Sequence, residues 1–472
     1  MQSLKKNLFY SVLLILANYV FPFLTYPYVS RVLGVENIGA CNFVDSVINY
    51  FILFSMLGLD SLGVREIAKH RDNQEDLNRT FSNLLVVNMA LTSFMLIVLA
   101  IMTFTVPQFA AHKDLMFFGA FKLLFNSLLV EWLYKGLENF RLITIRSLII
   151  KTLYVVLVFV LVRKPQDVWI YYLLSCLMVV ANAVVNIMFA HLSVMLSFSD
   201  IHFWPTFKSL FTLGLYAILT SMYTTFNVTF LGFVSGEVEV GYYTTATKIY
   251  YMVMALFSAF TGVMMPRMSN LVSSGEMDKF KSFFHLSVEV LLGFALPIII
   301  WIMIMSSDIV GLIAGPGYAG AVLPMTIIAP LVFVIGYEQV LVLQTLMPLG
   351  QDKVLLRNSI IGAGTGLLLN VLVVPVLASV GSSIVWIVSE LLILVLSQIA
   401  VSRTIEISFP VVELLKNIAV YIPLAIIVGL CLLLDSTLLR LFVSAAMTAA
   451  YVMAFQVFVK KRNPLALLKK GA

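Results

Sequence analysis

The feature that most constrains this chain is its hydrophobic rhythm: apolar blocks of about 20 residues follow one another along nearly the whole length, separated by short polar stretches. Twenty residues of helix rise about 30 Å, the thickness of a bilayer's hydrocarbon core. Blocks begin near residues 8, 40, 81, 114, 147, 168, 209, 241, 284, 320, 358, 384, 417 and 438. They predict an all-α integral membrane protein with about fourteen transmembrane helices. Composition agrees. The 472 residues are 61% hydrophobic and 11% charged, whereas soluble domains run near 25% charged. Nothing in the sequence could clothe two or three soluble domains in polar surface.

The net charge of +6 is distributed as an orientation signal rather than as a nucleic-acid footprint. Of the 30 Lys and Arg, 23 fall on the side of the predicted spans that carries Lys5 and Lys6. Five (Arg31, Lys113, Arg163, Lys164 and Arg440) fall on the other, and Lys122 and Lys248 stay inside spans. The positive-inside rule therefore predicts cytoplasmic N- and C-termini. The first apolar run reads as a membrane helix, because Asn18, Pro22 and Pro27 interrupt it and no small-residue cleavage site follows. Cys41, Cys176 and Cys431 are far apart and form neither a metal spacing nor a disulfide framework.

An internal repeat halves the chain. Gly34-Val-Glu-Asn-Ile-Gly39 returns as Gly236-Glu-Val-Glu-Val-Gly241, an offset of 202, and the same offset relates Lys6 to Lys208, Arg65 to Arg267, Asp76 to Asp278 and Phe81 to Phe283. Six spans per repeat insert both halves in the same orientation. Parallel six-helix halves with a substrate path between them are an established transporter plan. The expected organisation is a first bundle over 1–205, a second over 206–405, and two extra helices with a basic tail over 406–472.

Polar residues inside spans are the candidate functional residues, since each needs a partner or water at membrane depth. Asn42, Asp45 and Asn49 lie at helical spacings of three and four and share one face. Thr244, Lys248 and Tyr251 form the matching stripe in the second repeat, and Thr220, Tyr223, Thr224 and Asn227 another. Matching stripes favour a shared cavity over simple helix–helix hydrogen bonds. Lys122, with Asn126 one turn later, and Lys248 suit a cavity that attracts an anion such as a diphosphate. Arg31 fits that role or snorkelling to the interface equally well. Asp45, Glu338 and Glu390 either pair with the lysines or carry protons or coupling ions. Glu131 reads as a structural partner of Lys135, and Glu289, beside His285, as structural too. No G-x-x-x-x-G-K-[ST] loop is present, which argues against ATP hydrolysis. Gly362-Ala-Gly364-Thr-Gly366 lies inside a span with no preceding strand. No cofactor or metal is expected, and the chain reads as a transporter rather than an enzyme.

Several motifs in order resemble the Wzx-type oligosaccharide flippases of the multidrug/oligosaccharidyl-lipid/polysaccharide exporter superfamily. They are Tyr26-Pro-Tyr-Val-Ser-Arg-Val-Leu-Gly34 followed by Gly39, Gly63-Val-Arg-Glu-Ile-Ala-Lys69, Lys135-Gly-Leu-Glu-Asn-Phe140, and Lys248 followed by Met265-Pro-Arg-Met-Ser269. The likeness runs from about residue 4 to 405. It implies two six-helix bundles forming a V around a cavity, in a bacterial inner membrane. It also implies transfer of an undecaprenyl-diphosphate-linked oligosaccharide between leaflets for O-antigen, capsule or exopolysaccharide synthesis. By the same resemblance, a polysaccharide polymerase and a chain-length regulator are expected partners. Arg31, Lys122 and Lys248 would contact diphosphate or sugar, with Asp45, Asn49 and Asn227 lining the cavity. Few intramembrane arginines favour a neutral or weakly acidic glycan. The rival readings are a cation-coupled multidrug exporter of the same superfamily, which the intramembrane lysines oppose, and a membrane glycan polymerase or ligase. The last needs a large external loop, and the longest expected here, about residues 306 to 319, carries only Asp308.

Overall fold

The computed structural model describes residues 4–197 and 201–455; the basic C-terminal residues Lys460, Lys461, Arg462, Lys469 and Lys470 lie outside them. Among the described residues the chain is helical and contains no strand. The helices are α1 (Leu4–Met56), α2 (Leu59–His70), α3 (Gln74–Thr105), α4 (Pro107–Ala111), α5 (Lys113–Asn126), α6 (Glu131–Gly136), α7 (Phe140–Leu161) and α8 (Val168–Ala190). They continue as α9 (Phe203–Thr224), α10 (Phe226–Ser235), α11 (Glu237–Ser273), α12 (Met277–Ile313), α13 (Val322–Ile328) and α14 (Leu331–Leu341). The last three are α15 (Asp352–Ile405), α16 (Val411–Leu430) and α17 (Thr437–Ala454).

Local chemistry explains many of the boundaries. Asn73 caps α3 by accepting from the backbone N–H groups of Glu75 and Asp76, and those two carboxylates favour the positive end of the helix. Pro107 opens α4, where a missing N–H costs nothing. Two helices are too long to be single straight spans. At 1.5 Å per residue α1 and α15 would each reach about 80 Å, more than twice a hydrocarbon core. Each is broken by one non-helical residue, Gly34 (φ 80, ψ 169) in α1 and Ala378 (φ 47, ψ −126) in α15. Each also contains the starts of two expected spans.

Ten helices among the described residues are long and apolar enough to cross a membrane, and the bent pair Pro316–Ile328 with Leu331–Leu346 makes up to eleven. With two of the ten carrying two expected spans apiece, these numbers are compatible with about fourteen crossings. Large apolar side chains such as Phe104, Val376 and Phe442 stand more than three-quarters exposed. Such faces suit lipid, and a helix satisfies its own backbone there.

The chain divides into two compact units, Met1–Thr244 with Ala363–Ala378, and Thr245–Gly362 with Ser379–Ala472. The first unit has an apolar core around Trp132, Tyr134, Phe81 and Leu133. In the second, α12 is flanked by α14, α16 and α17. Trp301 on α12 donates to the Ser444 hydroxyl (2.9 Å), and Arg440 approaches Asp308 at 3.4 Å. Of the two C-terminal helices, α17 is thereby tied to α12 by polar contacts as well as by packing, and α16 by packing.

Candidate functional site

The first unit brings three of the sequence-predicted residues together. Lys122 Nζ lies 2.5 Å from Asp45 Oδ1 and 3.3 Å from Asn49 Oδ1, and Asn49 donates to Asp45 Oδ2 at 3.3 Å. Helical spacing puts Asp45 and Asn49 on one face of α1, and α5 supplies the lysine. Close approach of those helices depends on Gly119, one turn before Lys122: a Cβ there would sit 2.5 Å from Ile48 Cγ1. The cluster is not sealed, since the Asp45 side chain is 35% exposed and that of Lys122 15%. A charged pair open to hydrocarbon would be costly, so its exposed side calls for water or a polar ligand. The pair is also internally neutralised. An anion binding Lys122 must displace or share with Asp45.

Beside this cluster the repeat becomes visible as geometry. Gly34 and Gly236, 202 residues apart, share one left-handed backbone conformation (φ 80, ψ 169 and φ 84, ψ 179) that residues with a Cβ disfavour. Gly39 and Gly241 then meet each other's segments reciprocally. A Cβ on Gly39 would lie 1.7 Å from the Glu237 carbonyl oxygen, and one on Gly241 would lie 2.5 Å from the Val35 carbonyl oxygen. One turn further, Asn42 donates to the hydroxyl of Thr244, its own repeat equivalent, at 2.8 Å. The start of α11 thus docks on α1 through equivalent residues. His112 adds a contact to Glu237 at 2.8 Å.

The remaining predicted residues are placed as follows. Arg31 lies on α1, exposed, and donates to the Pro27 carbonyl at 2.7 Å. It is 14 residues before Asp45, on the other side of the break at Gly34. Asn227 is fully buried, accepting from Asn370 (2.7 Å) and approaching the Tyr243 hydroxyl at 3.4 Å, so its amide joins α10, α11 and α15 within the first unit. Lys248 is half-buried on α11 in the second unit. The side chains of Thr220, Tyr223 and Thr224 lie outside the described residues.

Glu131 does contact Lys135 (3.4 Å), and it also holds Arg146 at 3.0 Å. The Arg146 side chain is 4% exposed. As one of the 23 cations on the Lys5 side of the predicted spans, Arg146 carries no sequence signal of this burial. In the second unit Glu338 (α14) and Glu390 (α15) are neighbours, and Trp386 Nε1 donates to Glu390 Oε1 at 3.0 Å. Lone intramembrane carboxylates were visible in the sequence, but their proximity across 52 positions was not.

The fold is shared with MurJ and the MATE transporters. The structure of a lipid II flippase, MurJ, superposes with TM-score 0.72 at 12% identity over 95% of this chain and 98% of that one. A MATE transporter of Vibrio cholerae superposes at 0.57 and 15% identity over 85% and 98%. The chain belongs to the family described as "Polysaccharide biosynthesis protein", which matches residues 4–272. It is 28% identical over 401 residues to an Escherichia coli (strain K12) protein named "Putative O-antigen transporter", covering 83% of this chain and 95% of that protein. A "Probable low-salt glycan biosynthesis flippase" of Haloferax volcanii is 24% identical over 187 residues, 38% of this chain and 39% of that protein. The resemblance drawn from the motifs is borne out.

Proposed function

We propose that this chain translocates an undecaprenyl-diphosphate-linked oligosaccharide between the leaflets of a bacterial inner membrane by alternating access. The observation that carries the reading is the partly open Lys122–Asp45–Asn49 cluster inside a chain of this family. A saccharide cannot cross hydrocarbon unaided, because its hydroxyls would lose their water partners. A cluster with an ammonium, a carboxylate and an amide offers donors and acceptors for sugar hydroxyls and a cation for a phosphate oxygen. The polyprenyl tail needs no such site and stays in lipid. Arg31 and Lys248 are further candidates for headgroup contact, and Asn227 acts by holding α10 against α11 and α15. The termini face the cytoplasm in this reading, and a polymerase and chain-length regulator receive the product.

The mechanism follows from the neutralised pair. With Lys122 committed to Asp45, the empty site presents little net charge. An arriving diphosphate competes for the ammonium, and its binding differs between conformations in which the pair is closed or parted. Only such differential binding can shift a conformational equilibrium.

The test is binding of a fluorescent undecaprenyl-diphosphate oligosaccharide to the purified protein. Loss of a charge-assisted contact is worth roughly 1.5–3 kcal/mol, so Lys122→Ala is expected to weaken binding by about tenfold or more. Unchanged affinity in Lys122→Ala would remove the cluster from the headgroup site.

A further inference from the structure

At one end of the first unit the helices enclose a cavity of about 370 Å³ that the Lys122 cluster does not line. Its polar lining comes from four directions: Glu36 and Asn37 on α1, His112 and Asp114 where α4 gives way to α5, Trp169 at the start of α8, and Glu237 at the start of α11. All of these belong to the first unit. The volume falls within the roughly 300–1,000 Å³ of small-molecule sites.

The walls are fixed by contacts of their own. Asn37 spends its amide hydrogens on the backbone carbonyls of Leu33 (2.9 Å) and Pro165 (3.2 Å), which ties the turn before α8 to α1. Asp167 holds the same turn by accepting from the backbone N–H groups of Arg163 (2.9 Å) and Lys164 (3.0 Å). His112 Nε2 meets Glu237 Oε1 at 2.8 Å. What the walls then offer is mainly acceptors. Asn37 has only its carbonyl oxygen left to use, and ionised carboxylates accept without donating. Glu36 and Asp114 have no side-chain partner among the described residues. Beside them Trp169, 48% exposed, presents a flat apolar ring.

Such a lining calls for a ligand rich in donors and apolar on one face. A sugar ring has that make-up, with hydroxyls around its edge and C–H groups across its face. An ammonium ion would satisfy the same acceptors, but position favours the sugar. Asp45 follows Asn37 by eight residues on α1, and Lys122 follows Asp114 by eight on α5. The cluster and the cavity are therefore separated by about 12 Å along both helices.

The geometry points to a glycan-binding site: Glu36, Asn37, Asp114 and Glu237 accept from saccharide hydroxyls stacked on Trp169, while the diphosphate of the same molecule sits at Lys122. The inference rests on the transport reading above and extends it from the headgroup to the sugar. In that reading's orientation the cavity stands at the outer mouth, where it holds the glycan as it emerges.

Binding to the purified full chain tests this with two probes, undecaprenyl diphosphate and the same lipid carrying the oligosaccharide. Glu36→Gln and Trp169→Ala, both at exposed positions, should each weaken binding of the glycan-bearing lipid severalfold and leave that of the bare lipid unchanged. Lys122→Ala should weaken both. Equal losses for the two lipids in the cavity variants, or no loss for either, would overturn the glycan site. If the wild type binds neither lipid, the transport reading fails, and indole fluorescence still decides the cavity. Quenching by the free oligosaccharide that is lost in Trp169→Phe and shifted to higher concentration in Glu36→Gln supports a sugar site. No such quenching, or a Trp169-dependent response to tetramethylammonium alone, would overturn it.

Discussion

At the scale of single residues, the decisive feature is that membrane-embedded charges come in partnered sets. Lys122 has Asp45, and Arg146 has Glu131. These sets differ in what they can do. The Glu131–Arg146 pair is anchored by an arginine with a 4% exposed side chain, two of whose nitrogens lack partners among the described residues. Breaking such a pair leaves an uncompensated buried charge and costs about 3–5 kcal/mol. Glu131→Ala is therefore expected to lower the thermal unfolding midpoint in detergent sharply. The Lys122–Asp45 pair is open enough to exchange partners, so Asp45→Asn should preserve the fold. It frees the ammonium, and binding of the lipid-linked diphosphate measured at fixed pH should tighten in this variant, the reverse of Lys122→Ala. Much of this was legible in the sequence, because a lysine or carboxylate in an apolar run announces itself. Which charge meets which was not. Asp45 and Lys122 are 77 positions apart, and only the approach of α5 to α1 at Gly119 joins them.

At the scale of elements, the repeat explains more than the span count does. Apolar periodicity anticipated the helices but could not show that expected spans would join end to end across one non-helical residue, Gly34 or Ala378, because a kink needs one residue and leaves the hydrophobic pattern intact. The Gly34/Gly39 and Gly236/Gly241 signature was legible as a recurrence, and its physical purpose emerges from contact. The paired glycines let the start of α11 rest against the backbone of α1, with Asn42 and Thr244 bonding as repeat equivalents. A Cβ at Gly39 would overlap a carbonyl oxygen, which is backbone and cannot rotate away. Gly39→Val is expected to abolish this docking, seen as loss of a disulfide otherwise formed between cysteines placed at Asn42 and Thr244. Persistence of that cross-link would show that the helices dock without the glycines.

At the scale of the whole molecule, the chain is a family member with the MurJ/MATE fold that brings an ammonium, a carboxylate and an amide together inside its first unit. The family was legible because its motifs keep their order over most of the chain. Its particular cargo is not written in any single motif, since ammonium, amide and carboxylate groups serve many polar ligands. The most direct test is leaflet transfer itself. The purified chain is reconstituted into liposomes with a fluorescent undecaprenyl-diphosphate oligosaccharide, and a membrane-impermeant quencher or glycosidase scores how much label reaches the accessible leaflet. Protein-dependent transfer, reduced at least tenfold in Lys122→Ala, is the predicted result. No transfer of any lipid-linked glycan, together with cation-driven export of a small dye by the same preparation, would contradict the account and identify a drug exporter instead.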